Sequence, residues 1–246
     1  MTVYRVQNKS QSWYGESIGI LILDAAYPCV PGNVGNASTY NFPVRYKVVK
    51  NASIDRLLNQ RDPALLDPFI DAARELQAEG VKAITGACGF MALFQRQVAD
   101  AVDIPVFLSS LLQVRFVWPM LPKGRKIGII SANSSVLTPE HFAGVGITSD
   151  IPLVLGGMEN QVEFRDAVLL EKGTLDSEQI EREVVEVAEQ MLRQHPDIGV
   201  FLLECSDLPP YAAAIQAAVN RPVFDFITMI NYVHSALVRK PFQGFM

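Results

Sequence analysis

The chain has 246 residues, of which 49% are apolar and 19% charged, and its net charge at pH 7 is −5. Such a composition is typical of a globular protein with one large domain or two small ones. The acidic balance, without a cluster of Lys and Arg, excludes nucleic acid and anionic membrane surfaces as expected partners. No apolar run approaches the roughly 18 residues that a membrane helix needs.

The cysteines and histidines indicate the cellular compartment and whether a metal site is expected. Cys29, Cys88 and Cys205 lie far apart, without the spacing of a disulfide framework, which is typical of free thiols in a reducing compartment. The polar N-terminus lacks the apolar core of a secretory signal. We therefore expect a cytoplasmic protein. The three histidines are isolated from one another and from cysteine, so no metal site is expected.

Short apolar runs alternate with segments of helical periodicity in the first half of the chain. The predicted elements are a strand over 18–23, a loop rich in Gly, Pro and Asn over 24–41, a helix over 62–79, a strand over 81–85, a helix over 90–102 and a strand over 104–108. Asp62 followed by Pro63 is a typical helix start, and Gly80 is a typical helix end.

The second half repeats this order. Its predicted elements are a strand over 126–131, a helix over 177–194 that opens at Asp176, a strand over 198–203, a helix over 211–219 and a short apolar run over 222–224.

Three sequence anchors recur in the same order in both halves. Ile-Gly-Ile occurs at 18–20 and at 127–129, and Cys88 and Cys205 each follow a predicted strand. Pro-Val-Phe begins at the same distance after each cysteine, from 88 to 105 and from 205 to 222. We infer an internal duplication.

The duplication predicts an α/β fold. Alternating strands and helices form parallel sheets with helices on both faces. We expect two similar doubly wound parallel-sheet domains, related by pseudo-twofold symmetry, with the active site in the cleft between them. The first domain is expected to comprise 1–113 and 222–246, and the second 114–221.

The two duplicated cysteines are the candidate catalytic residues. Ligands of open α/β sheets bind beyond the carboxyl ends of the strands, where Cys88 and Cys205 are predicted to lie. Each precedes a predicted helix, whose N-terminal N–H groups favour a thiolate. One thiolate could remove a proton from carbon while the opposite thiol returns one. A lone cysteine is more often small core filler, and this interpretation is kept for Cys29.

A known family carries similar motifs. The segment from Leu203 to Pro209 (L-E-C-S-D-L-P) resembles the second-cysteine motif L-G-C-T-E-L-P of the cofactor-independent aspartate/glutamate racemase superfamily. This superfamily includes hydantoin racemases, maleate isomerases and arylmalonate decarboxylases. Gly86-Ala87-Cys88 resembles its first-cysteine motif, A-C-N-T. Residues 127–136 are similar to the opening of its second domain, with Ser135 at the usual threonine.

The resemblance spans nearly the whole chain and carries several implications. It implies catalysis by Cys88 and Cys205, no cofactor and a homo-oligomer. Arylmalonate decarboxylases keep only the second cysteine, so the presence of both implies racemisation or isomerisation.

The sequence departs from the family where the substrate would bind. Gly89 and Phe90 stand where the racemases carry the Asn and Thr that help to hold the substrate carboxylate, which leaves a less polar pocket open. The candidate substrate-binding residues are Asn36, Ser38, Thr39, Gly89, Phe90, Ser135 and Ser206. Asn and Ser also favour turns and helix caps, so a local structural role stays open for each of them.

Three functions follow from these features. The leading prediction is a racemase or epimerase that inverts a carbon acid α to a carbonyl, in an amino acid such as aspartate or glutamate or in a hydantoin. The second is a maleate-type cis–trans isomerase that works by thiolate addition. The third is a non-catalytic module that holds a small carboxylate. Each predicts a small-molecule partner with a carboxylate or carbonyl group.

Overall fold

The structure is a computed structural model that describes residues 3–6 and 11–246. Its strands form two four-stranded sheets, and every strand pairing in these residues is parallel. The strands are β1 (Ile18–Ile22), β2 (Val44–Val48), β3 (Ala83–Gly86), β4 (Val106–Phe107), β5 (Lys126–Ser131), β6 (Leu153–Gly157), β7 (Ile198–Leu203) and β8 (Val223–Phe224).

The two sheets have the same topology. The first sheet has the order β2-β1-β3-β4 and the second β6-β5-β7-β8, so each strand of the first half has a counterpart four strands later. This arrangement confirms the predicted α/β class with two similar parallel-sheet domains. The strands that precede the two cysteines, β3 and β7, occupy equivalent central positions.

Helices connect and cover the strands. The α-helices are α1 (Ile54–Leu58), α2 (Leu66–Ala78), α3 (Gln95–Asp100), α4 (Val114–Val117), α5 (Pro139–Gly144), α6 (Val162–Phe164), α7 (Ser177–Gln194), α8 (Ala212–Val219) and α9 (Phe226–Leu237). Four of them are directly preceded by a 3₁₀ turn: Pro63–Leu65 before α2, Gly89–Phe94 before α3, Ser110–Gln113 before α4 and Pro209–Tyr211 before α8. A π-helical turn, Arg165–Leu169, follows α6.

Strand β2 was not predicted from the sequence, and its surroundings explain why. It is an edge strand with half-buried side chains, and its Arg45 and Lys47 form ion pairs with Glu79. Because its apolar residues are interrupted by charged ones, it lacks the apolar run that marks a strand buried on both faces. Strand β6 and helix α9 were likewise not predicted.

Two contacts bear on where the chain returns to the first domain, which the sequence predicts at residue 222. Strand β8 pairs with β7 and therefore belongs to the second sheet. Helix α9, through Phe226, Met229 and Ile230, packs in a cluster with Ile18 and Ile20 of β1. We propose that the chain crosses back at about Asp225, after it has completed β8.

A shared apolar core joins the two domains. Side chains of both sheets, among them Leu21 and Ile84 of the first and Ile129 and Leu202 of the second, belong to one cluster of buried residues. This packing brings the loops after β3 and β7 together. No helix in the described part of the chain has the length and hydropathy that crossing a membrane requires.

Candidate active site

Both candidate cysteines lie in the loops that follow the central strands. Cys88 is two residues beyond β3 and is the cap residue of the 3₁₀ turn that begins at Gly89. Cys205 is two residues beyond β7 and precedes the turn Pro209–Tyr211. Cys88 is partly exposed, whereas Cys205 is buried.

One small cavity is lined by both cysteines. Its volume is about 20 Å³, and residues of both domains form its wall. The polar lining residues are Tyr27, Cys88, Cys205, Ser206 and Asp207. The apolar lining residues are Leu23, Ile54, Leu58, Ala87, Ala132, Val168 and Leu169. The predicted cleft between the domains therefore brings the two thiols to one enclosed space.

A second cavity lies beside the first and shares part of its wall. Its volume is about 40 Å³, and Leu23, Tyr27, Ala87 and Ser206 line both cavities. Its remaining wall consists of Ile22, Ala25, Cys29, Asn33 and Gly35. No Lys, Arg or His is among the described residues that line either cavity. Asp207 is therefore the one Asp, Glu, Lys, Arg or His side chain among the described residues of these walls.

Asp207 is the centre of the polar network in this site. The Cys205 thiol donates to its Oδ2 at 3.3 Å, and the Tyr27 hydroxyl donates to the same oxygen at 3.4 Å. The Asn33 amide donates to its Oδ1 at 2.6 Å. Burial raises the pKa of Asp207, and these three hydrogen bonds oppose the increase because they favour the carboxylate.

Both thiols are harder to ionise than the sequence led us to expect. Burial raises the pKa of Cys205 well above its usual value, and the charges of Asp207 and Glu204 raise it further. Burial also dominates at Cys88 and raises its pKa, although the main-chain N–H groups of Phe90 and Met91 lower it. The predicted effect of the turn N-terminus is therefore present at Cys88, but desolvation outweighs it.

Glu204 directly precedes Cys205 in the chain and lies near both thiols. Its side chain is completely buried, and its Oε2 accepts a hydrogen bond of 2.8 Å from the Ser131 hydroxyl. Burial raises the pKa of Glu204 to about 7, against the effect of the Ser131 and Ala132 hydrogen bonds, and the charge of Asp207 adds to the increase. The site thus holds two buried carboxyl groups, the buried Cys205 and the partly exposed Cys88.

Of the predicted substrate-binding residues, only Ser206 lines the cavities. It is buried, and its hydroxyl donates to the Ala87 carbonyl at 2.7 Å. This hydrogen bond connects the loop that contains Cys205 with the loop that contains Cys88. Gly89 is buried beside Glu204 and forms no part of the described cavity walls.

The other candidates in the long loop and the second domain make local hydrogen bonds. Asn36 caps the turn Ala37–Thr39 by accepting from the N–H of Ser38, and its amide donates to the Cys29 carbonyl at 2.8 Å. Thr39 accepts from the N–H of Gly32. Ser135 is exposed and donates to the Asn133 side chain. These side chains stabilise turns and are not among the described cavity-lining residues, so the structure gives substrate binding by them no support.

Phe90 is a core residue. Its side chain is fully buried and packs edge-on against the ring of His141, with 5.0 Å between the ring centroids. Burial lowers the pKa of His141 to about 4, so this histidine is neutral at physiological pH. The Phe90 ring therefore joins the apolar core behind Cys88 and does not reach the cavity wall described above.

Tyr27, Asn33 and Glu204 were not identified as site residues from the sequence. Tyr27 and Asn33 belong to a loop whose conformation cannot be read from residue types. Glu204 did carry a signal, since it stands where the resembling motif has glycine. Asp207 was aligned with the glutamate of that motif, but it was not assigned a role.

A hydrogen bond joins the two domains beside the cavity, between residues that do not themselves line it. The main-chain N–H of Ala26 donates to a carboxylate oxygen of Glu171 at 2.6 Å. Glu171 follows the π-helical turn that supplies Val168 and Leu169 to the cavity wall, and Ala26 precedes Tyr27. A space of about 20 Å³ has room for little more than one water molecule, so the cavity in this conformation does not hold a larger substrate.

Comparisons with known proteins identify relatives of the chain. No protein-family model matches it. A dimethylsulfoniopropionate lyase of Durusdinium sp. clade D is 33% identical, over 93% of this chain and 77% of that protein. Dimethylsulfoniopropionate lyase 3 of Emiliania huxleyi (strain CCMP1516) is 32% identical, over 93% of this chain and 61% of that protein. The chain thus spans about three fifths to three quarters of the length of these two relatives.

Solved structures with the same fold have much lower identity. Unliganded arylmalonate decarboxylase superposes with a TM-score of 0.58 at 14% identity, over 92% of this chain and 94% of that one. An aspartate racemase homologue from Pyrococcus horikoshii OT3 gives a TM-score of 0.53 at 17% identity, over 90% and 99% of the two chains. The chain therefore belongs to the family of the dimethylsulfoniopropionate lyases, and its fold is that of the aspartate/glutamate racemase superfamily.

Proposed function

We propose that the protein is a lyase that cleaves dimethylsulfoniopropionate into dimethyl sulfide and acrylate. The relatives at 32–33% identity are named dimethylsulfoniopropionate lyases, which supports the substrate and the reaction class. The isomerase class predicted from the sequence is not confirmed, since the racemases among the neighbours share the fold at low identity only. The proposal keeps the two-cysteine site, but the proposed reaction is an elimination and not the predicted racemisation, in which a second thiol returns a proton to the carbon.

The observation that carries the proposal is the charge of the cavity walls. Their described residues provide the thiols of Cys29, Cys88 and Cys205, the phenol of Tyr27 and the carboxyl group of Asp207, without a cationic side chain. Such a site is complementary to the positive sulfonium end of dimethylsulfoniopropionate, because an anionic wall and an aromatic ring both attract a cation. Maleate would enter with two negative charges, and aspartate or glutamate with a net negative charge of one, whereas the described lining residues include no cationic side chain to balance them.

The substrate can also activate the site. Burial and neighbouring carboxyl groups hold both thiols in the neutral form. A sulfonium cation placed beside them favours the thiolate, since an opposite charge within a few ångströms lowers a thiol pKa. The base is then generated when the cationic substrate binds, and a neutral or anionic compound does not produce this effect.

We assign Cys205 as the base because its thiol proton already has an acceptor, Asp207 Oδ2 at 3.3 Å. The thiolate removes a proton from the carbon α to the substrate carboxylate. The electron pair of that C–H bond forms the C=C bond of acrylate. The C–S bond breaks, and its electron pair leaves on sulfur as neutral dimethyl sulfide. The proton taken from carbon re-forms the Cys205 thiol, and Asp207 releases to solvent the proton that it accepted from Cys205, which restores the starting state.

Incubation of the purified protein with dimethylsulfoniopropionate tests the proposal. We expect release of dimethyl sulfide, measured by headspace gas chromatography, and of an equal amount of acrylate, measured by NMR. Cys205→Ser should abolish the release. Cys29→Ser is the matched control, because Cys29 lines only the second cavity, and it should leave most of the activity. Release of neither product would refute the proposal.

The same samples distinguish the racemase alternative, which the pairing of two thiols on one cavity favours. Aspartate, glutamate and hydantoins in deuterated water would exchange the α-proton and lose optical rotation if the protein were a racemase. We expect neither change.

A further inference from the structure

Glu204 is a buried acid for which the proposed elimination has no use. It directly precedes Cys205 and its side chain has no exposed area. One carboxyl oxygen, Oε2, accepts from Ser131. The other, Oε1, is buried without a hydrogen-bond partner among the described residues. An unpartnered buried oxygen of this kind costs free energy, so its retention calls for an explanation.

The unpartnered oxygen lies against the residue that follows Cys88. A β-carbon at position 89 would collide with Glu204 Oε1 and with the Glu204 carbonyl oxygen, so only glycine leaves room for this carboxyl group. Glu204 belongs to the second domain and Gly89 to the first. The carboxyl group therefore packs across the domain boundary against the peptide that carries the Cys88 thiol.

The surroundings of Glu204 contain no compensating charge. Its polar contacts are the Ser131 hydroxyl and the Ala132 N–H, and the charged group that acts on it is Asp207. No cation is paired with it in the described part of the chain. The ionisable groups on which Glu204 acts in turn are Cys88 and Cys205. For Cys88, Glu204 is the strongest charge, whereas for Cys205 it is second to Asp207.

We propose that Glu204 is a positioning residue that acts through Cys88: its ionised carboxylate, which lies against Gly89, adds to the effect of burial in keeping the Cys88 thiol protonated and leaves Cys205 as the single base. The second half of this statement rests on the proposed lyase function. The first half concerns the thiol alone. The two cysteines thereby become unequal, as an elimination needs one base, in contrast to a racemase, which needs a base on each side of the carbon.

Thiol labelling as a function of pH tests the proposal without any need for lyase activity. The rate of iodoacetamide modification at each cysteine is followed by peptide mass spectrometry in the wild type and in Glu204→Gln. We expect the midpoint of the Cys88 profile to fall by about one pH unit in the variant, which makes labelling below both midpoints about tenfold faster. The Cys205 midpoint should move less.

Glu183→Gln is the matched control. Glu183 is also a buried acid, but it accepts from the N–H groups of Glu163 and Phe164. It is not among the described cavity-lining residues, so its replacement should leave both midpoints unchanged. An unchanged Cys88 midpoint in Glu204→Gln, or an equal shift at Cys205, would overturn the proposal.

Two further measurements test the proposal if Glu204→Gln does not fold. One uses a second variant, and the other uses the wild-type protein alone. Glu204→Met replaces the carboxyl group with an apolar side chain of similar length, so the Cys88 midpoint should again fall, with circular dichroism to verify folding. In the wild type, the Cys88 profile should rise less steeply near pH 7, where Glu204 ionises. A uniform slope through this range would contradict the proposal whatever the variants show.

Discussion

The amide of Asn33 donates a hydrogen bond of 2.6 Å to the carboxylate of Asp207, although the two residues lie 174 positions apart in the chain. This bond holds the acceptor of the Cys205 proton in place from the opposite domain. It also favours the ionised form of Asp207 in a buried environment that would otherwise neutralise it. The loop after β1 therefore takes part in the chemistry of the loop after β7.

This contact predicts a graded loss of lyase activity. Asp207→Asn removes the proton acceptor of Cys205, and we expect kcat/KM for dimethylsulfoniopropionate to fall by about 10²-fold, the lower range for general base catalysis. Asn33→Ala keeps the acceptor but loses its orientation, and a decrease of about tenfold is expected. Asn36→Ala is the control, because its side chain bonds to the backbone of its own loop. Wild-type kcat/KM in Asp207→Asn would show that Cys205 is not activated by this carboxylate.

The charge of the cavity predicts that cationic ligands ionise a thiol. We expect 3-(trimethylammonio)propionate, which cannot release a sulfide, to increase the ultraviolet thiolate absorbance of the protein at about pH 8, because its positive charge lowers the pKa of the neighbouring thiols. The uncharged-tail analogue 4,4-dimethylpentanoate has the same shape and should leave the absorbance unchanged. The increase should be absent in Cys205→Ser. Equal responses to both ligands would show that charge is not what the site recognises.

Glu204 predicts a loss of stability with increasing pH. Its pKa rises from 4.5 in the unfolded chain to about 7 in the folded protein, so between these values the folded state holds a proton that the unfolded state has released. The folded state therefore loses roughly 3 kcal/mol from this group as the pH increases from about 4.5 to about 7. Glu204→Gln has no ionisable group at this position, so its stability should not show this loss.

The check is the free energy of unfolding from urea titrations at about pH 4.5 and about pH 8. The free energy of unfolding of Glu204→Gln minus that of the wild type should be larger at the higher pH than at the lower one, by roughly 3 kcal/mol. A wild-type to variant difference that is the same at both pH values would mean that Glu204 is already ionised in the acidic range.

The position of Phe90 predicts a structural role for this residue. Phe90→Ala should lower the free energy of unfolding by about 3–5 kcal/mol, as expected for a fully buried ring. Phe90→Leu, which keeps most of the apolar volume, should leave KM for dimethylsulfoniopropionate within about twofold of the wild type. Phe69→Leu, at another fully buried site, is the control for core substitutions. A tenfold change in KM with Phe90→Leu and not with Phe69→Leu would return Phe90 to the substrate site.

The sequence by itself determined the repeated architecture. Buried parallel strands consist of continuous apolar runs, so β1, β3, β5 and β7 could be located from the positions of such runs in the sequence. The recurrence of Ile-Gly-Ile, cysteine and Pro-Val-Phe placed Cys88 and Cys205 at equivalent strand ends, and the structure brings both to one cavity. Edge strand β2 was not found, because its charged residues interrupt the apolar run.

Only the tertiary structure decided what surrounds the two thiols. Tyr27 and Asn33 reach Asp207 through a loop whose path depends on packing against the other domain, and no local sequence rule encodes that path. Desolvation is likewise a property of the assembled protein. It raises the thiol pKa values that the sequence suggested would be lowered, because burial acts on both cysteines more strongly than the nearby N–H groups. Residue types fixed which groups are present, and the packing of the two domains fixed their charge.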